Sequence, residues 1–161
     1  MVPTTVGGYL QSLPNERRVA MARVCSMIRR SARGVRESMR FGIAFYELDG
    51  APIFAVESLE TSLRLYAVER SVIEELKDKY KTINTEHCCA EFKDLNCMPL
   101  EVVEKIVRMS LAVRRGNPDA RIPTQQEIID MWGIKEENLA VAPPIVRISR
   151  NTDTPDDAKE A

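Results

Sequence analysis

Two long stretches of this chain carry apolar residues at helical spacing, and short segments of strand-like pattern lie between them. In "NERRVAMARVCSMIRRSAR", Ala20, Met21, Val24, Met27 and Ile28 fall on one face of a helix, with Cys25 at its edge. Ser12 is placed to cap that helix, and Pro14 to open a first turn whose amide would be unpaired anyway. From Val35 the period drops to two. "VRESMRF" sets Met39 and Phe41 against Ser38 and Arg40, and "SLRLYA" turns Leu63, Leu65 and Ala67 inward and Arg64 and Tyr66 outward. Between them, "AFYELDGAPIFAVES" reads as two strands joined at Asp49-Gly50, a dipeptide that tolerates the positive φ of a tight hairpin. "SVIEELKDKY" predicts a short helix with a capping box between Ser71 and Glu74 and a buried side of Ile73, Leu76 and Tyr80. "HCCAEFKDL" predicts a further strand. "PLEVVEKIVRMSLAVRRG" predicts a long helix with Val103, Ile106, Val107 and Leu111 on the sheet and Gly116 as its stop.

Short strands joined in sequence by tight turns make an antiparallel meander, because parallel strands need long crossovers. The predicted fold is therefore α+β and two-layered, with the N- and C-terminal helices packed on one face of an antiparallel sheet. This domain spans residues 9–116. Residues 117–150 form a C-terminal extension with a short helix at about 124–133, which has a capping box (Thr124, Glu127) and a stop at Gly133. "APPIVRIS" is expected to be extended, since residues before proline avoid the helical region. Residues 151–161 are polar and acidic with nothing to bury, and are expected to be disordered.

At 161 residues and 44% hydrophobic the chain can bury one core. A formal charge of −1 gives no general attraction for nucleic acid or for a membrane surface, and no specific nucleic-acid partner is predicted. No apolar run reaches membrane-spanning length, and the N-terminus lacks the basic-then-apolar plan of a signal peptide, so the cytoplasm and four reduced cysteines are expected. The chain has no phosphate-binding glycine loop, HExxH motif or nucleophile elbow, and a His87–Cys89 pair would have no third group to orient the imidazole. A non-catalytic protein is the expectation. One charge feature stands out: Arg18, Arg23, Arg29, Arg30 and Arg33 fill the arc opposite the apolar face of the first helix. This is either a solvated face or, through Arg18, Arg29 and Arg33, a surface for an anion or partner.

"EHCCAEF" holds the only histidine. Read as a strand, it puts Cys88, Ala90 and Phe92 on the core side and His87, Cys89 and Glu91 on the solvent side, with Cys89 accessible. Imidazole, thiolate and carboxylate could together hold Fe²⁺ or Zn²⁺ loosely, with positions left open for delivery; the alternative is a polar strand face. Phe41, Phe45, Tyr46 and Tyr66 are aromatic candidates for a ligand-binding sheet face, or else core and edge packing, with Phe41, Phe45 and Tyr66 the chosen set.

The order helix, meander, short helix, strand, long helix resembles the YdhG-like domain family, grouped with frataxin-type and YjbR-type proteins. The resemblance runs from Tyr9 to Leu111 and rests on "SLPNERR", "FGIAFYELDGAPIFAV", "LRLY" and "CCAEFKDLNCMPLEVVEKIV". Phe41 stands where the family usually has tyrosine, and Ala44 where it usually has proline. The resemblance implies a frataxin-like fold and, from the label "iron chaperone" carried by some members, an intracellular protein that binds Fe²⁺ weakly and delivers it to an iron-using acceptor protein. The alternative function is a small-ligand- or protein-binding module with no metal.

Overall fold

The structure is a computed structural model that describes residues 3–134. In chain order it contains α1 (Val6–Gln11), α2 (Asn15–Ser31), β1 (Arg36–Arg40), β2 (Ile43–Leu48), β3 (Ala51–Ser58) and β4 (Leu63–Ala67). These are followed by α3 (Arg70–Leu76), β5 (Ile83–Asn84), β6 (Cys89–Phe92), a 3-10 turn (Leu95–Cys97), α4 (Leu100–Gly116) and α5 (Gln125–Trp132). The six strands make one antiparallel sheet in the order β1-β2-β3-β4-β6-β5. The fold is α+β, as the patterning predicts. The expected extended run at 142–149 and the expected disordered tail at 151–161 lie outside the described residues.

The hairpins follow from local chemistry. Asp49 and Gly50 take φ of 53° and 81°, which matches the right-handed twist of the flanking strands. The β2–β3 register shifts between Tyr46 and Glu47, beside Pro52, which has no N–H to give to the ladder. Phe41 sits at φ 58° in the β1–β2 turn, a costly region for an aromatic residue, and is held there by burial and by an edge-on contact with Phe45.

α2 and α4 pack against each other and on the same sheet face. Val24 and Ile28 of α2 and Val103 and Val107 of α4 are all fully buried. On this face the sheet contributes Tyr46, Phe54, Leu65 and Phe92. Cys25, at the edge of the apolar face of α2, is buried in the core, and burial pushes its thiol up to about 11.

Three local expectations are corrected. Ser12 does not cap α2: it ends α1, and its hydroxyl donates to the Tyr9 carbonyl at 2.6 Å, while Pro14 takes the N-cap position of α2 without a side-chain bond. No capping box forms at α3, because Glu69 and not Ser71 is the N-cap, two residues early, and Glu74 pairs with Lys77 and Arg70 instead. Gly116 is the last residue of α4 and not its stop; Asn117 is the C-cap. At α5 the box does form, between Thr124 and Glu127, and Gly133 ends the helix at φ 70°.

The second sheet face is where sequence and structure part furthest. Tyr66 does point away from α2 and α4, but it is not exposed. α5 lies across this face, and Trp132 stacks on Tyr66 (ring centroids 5.1 Å apart) and meets Phe45 edge-on at 6.2 Å. The indole Nε1 donates to the Ala67 carbonyl at 3.0 Å. A partial third layer therefore covers a face that the alternation alone assigns to solvent.

Candidate functional site

The "EHCCAEF" stretch is only partly a strand. β6 begins at Cys89; residues before it, His87 and Cys88 included, turn from β5, with Cys88 at φ 54°. The alternation expected for the whole run therefore starts two residues late. Cys88 is buried, as expected. Cys89 is buried too, against the expectation that it be accessible, because it pairs in register with Tyr66 on the face that α5 covers. Burial pushes the Cys88 thiol up to about 11 and the Cys89 thiol up to about 12. His87 is half-buried and packs on Gly133: a Cβ built there would lie 2.6 Å from its Nδ1.

Glu91 is committed elsewhere. Its carboxylate accepts from the Ser62 hydroxyl at 2.8 Å and from Asn84 at 3.5 Å, and pairs with Arg64 at 3.4 Å. Arg64 in turn donates to the Tyr66 hydroxyl, which donates to Glu57 at 2.7 Å. Among the described residues no three His, Cys, Asp or Glu side chains gather into a group that could hold a metal ion. Burial works to raise the Glu91 pKa, but the Ser62 hydrogen bond and Arg64 outweigh it and hold the carboxyl below the usual range. A lowered folded-state pKa gives stability that is present above the unfolded value, near 4.5, and lost as pH falls through the folded one. Glu91→Gln should therefore show a shallower loss of urea resistance between neutral pH and about pH 3 than the parent; an unchanged acid limb would contradict this network.

The aromatic set is divided by α5. Phe41 and Phe45 line a small cavity of about 210 Å³ together with Arg40, Glu47, Pro123 and Ile128, whereas Tyr66 is sealed beneath Trp132. Arg40 lies over the Phe45 ring at 5.0 Å, a cation–π contact. Tyr46 faces the other way, and its hydroxyl bonds to Glu37.

The arginine arc also separates. Arg18 bonds to Asn15, and Arg29 makes an ion pair with Glu37 at 2.6 Å. Arg33 joins a groove of about 620 Å³ between α2 and α4, lined by Met27, Arg30, Ser31 and Arg33 on one side and Glu104, Arg108, Leu111, Ala112 and Arg115 on the other. Four guanidiniums face one carboxylate here, in a chain whose formal charge is −1. Arg108 pairs with Glu104 at 2.8 Å; Arg30, Arg33 and Arg115 are in no ion pair among the described residues. Basic residues in a last helical turn complement the helix dipole, which accounts for Arg30 and Arg115 singly. It does not account for Arg33, which lies beyond α2, or for Arg108 in mid-helix. The contribution of α4 to this groove was missed in the sequence; its signal there is the seven-residue spacing of Arg108 and Arg115.

No family model and no curated protein sequence matches the chain. Among solved structures it is similar to that of YdhG, a Bacillus subtilis protein of the DUF1801 family, with a TM-score of 0.58 and 12% identity over 68% of this chain and 90% of that one. At that identity the likeness is one of fold: the chain has a YdhG-like fold.

Proposed function

We propose that this protein is a non-catalytic binding module whose partner is anionic and sits in the groove between α2 and α4. The observation that carries this reading is the concentration of Arg30, Arg33, Arg108 and Arg115 around one open groove with a single carboxylate among them. Guanidinium forks match carboxylate and phosphate oxygens in geometry as well as charge. The iron-handling role implied by the family resemblance calls for donor side chains brought together. Cys89 is buried under α5 and Glu91 is held by Ser62, Asn84 and Arg64, so His87, Cys89 and Glu91 do not fit Fe²⁺ as they stand.

Fluorescence anisotropy of a labelled polyglutamate chain tests the reading. Binding is expected at low salt, with a steep decline as salt rises. The Arg33→Glu, Arg115→Glu double variant should weaken it by about tenfold or more. Binding that ignores this pair would remove the groove from consideration. A stoichiometric Fe²⁺ site that disappears in His87→Ala would return the iron reading to first place.

A further inference from the structure

We infer that the groove's partner is an acidic amphipathic α-helix of another protein, laid lengthwise along α4 and touching α2. This rests on the anionic-partner reading of the same groove and names the partner's class. α4 presents Arg108, Leu111, Ala112 and Arg115 to the groove, an i, i+3, i+4, i+7 row. At 1.5 Å of rise per residue the two arginines stand about 10 Å apart along the axis, with two apolar residues between them. A helix that carries acid, apolar, apolar, acid at the same period matches this row position by position. Ala112 is exposed and short, which lets a second backbone come close, and half-buried Met27 supplies an adaptable apolar wall from α2. Arg30 and Arg33 on that wall reach the partner's carboxylates from the other side.

The openness of the groove argues against a small metabolite. Arg30, Arg33, Arg108, Ala112 and Arg115 are all exposed, and Leu111 is the buried floor. Small-molecule sites enclose roughly 70–90% of their ligand, which walls of this kind cannot do. Glu104, one turn before Arg108 and paired with it at 2.8 Å, repels an acid placed beside it, so the acidic row is not expected to extend past Arg108.

Three probes separate the possibilities by anisotropy and competition: a helical peptide with Glu at i and i+7 and Leu at i+3 and i+4 over three heptads, the same residues shuffled off that period, and inorganic polyphosphate. The periodic peptide should bind, and the shuffled one should bind about tenfold more weakly or worse. Arg108→Glu with Arg115→Glu should cost the periodic peptide about tenfold or more, and Ala112→Trp should block it while leaving polyphosphate binding in place. Far-UV circular dichroism checks that each variant folds; should the arginine pair fail, Arg30→Ala with Arg33→Ala on the other wall is read in its place. Equal binding of the two peptides, or binding of polyphosphate alone, would overturn the helix proposal and leave the anionic reading standing. If none of the three binds, or none responds to the arginine variants, both fall.

Discussion

Trp132→Ala is expected to lower stability by about 3–5 kcal/mol, the usual cost of deleting a buried Trp or Phe ring, and to turn Cys89 from an inert thiol into a reactive one. Trp132 is fully buried, stacks on Tyr66, meets Phe45 and donates to the Ala67 carbonyl, so one truncation removes two aromatic contacts and a hydrogen bond. The same truncation uncovers the sheet face that carries Tyr66 and, beside it in register, Cys89. In the parent only Cys97 is exposed, so a thiol reagent at pH 8 should modify one cysteine quickly and the other three slowly. In the variant a second cysteine should join the fast class, identified as Cys89 by peptide mapping. Trp132→Phe keeps an apolar ring without the indole N–H and should fall between the two. A fast Cys88 with Cys89 still slow would mean that the cover over Cys89 does not depend on Trp132.

Arg114→Met should cost about 2–3 kcal/mol, well above the cost of removing an exposed arginine. Its Nε donates to Glu69 at 3.1 Å and its Nη2 to the Pro52 carbonyl at 2.7 Å, which ties the end of α4 to β3 and to the start of α3. Both partners of the ion pair are largely shielded, at 17% and 21% exposure, so methionine fills the space but leaves a carboxylate and a carbonyl short of donors. Urea unfolding of Arg114→Met, Glu69→Gln and the double variant gives the coupling directly. A loss below about 0.5 kcal/mol, the scale of an ordinary surface change, would show that water replaces the arginine without penalty.

The fold was legible in the sequence because its signals are periodic. The apolar faces of α2 and α4 and the Asp49-Gly50 turn are local patterns, and they fixed the sheet and its helical layer. What escaped was either short or distant. α1 and β5 have six and two residues, too few for a period to register. The cover over Tyr66 and Cys89 comes from Trp132, 65 positions from the Ala67 carbonyl it bonds, and no window around either strand contains it. For the same reason Cys89 read as exposed: alternation gives the direction of a side chain, and burial depends on what arrives there later. The groove was half legible. Arg30 and Arg33 stood out in the arginine arc read from the first helix, while Arg108 and Arg115 were absorbed into a helix noticed for its buried side.

The two ends of the sheet bear on how this protein behaves at high concentration. A sheet that is not closed into a barrel leaves unpaired backbone groups on its outermost strands, which can recruit a neighbouring chain and start a fibril. Among the described residues one outer strand, β5, is only two residues long, too short to template an added strand. The other, β1, carries Arg36, Glu37 and Arg40 among its five residues, so an incoming strand must desolvate charged side chains to reach the ladder. Self-association through sheet extension is thereby disfavoured at both margins of the sheet that the described residues form, which can stay open without becoming an aggregation seed.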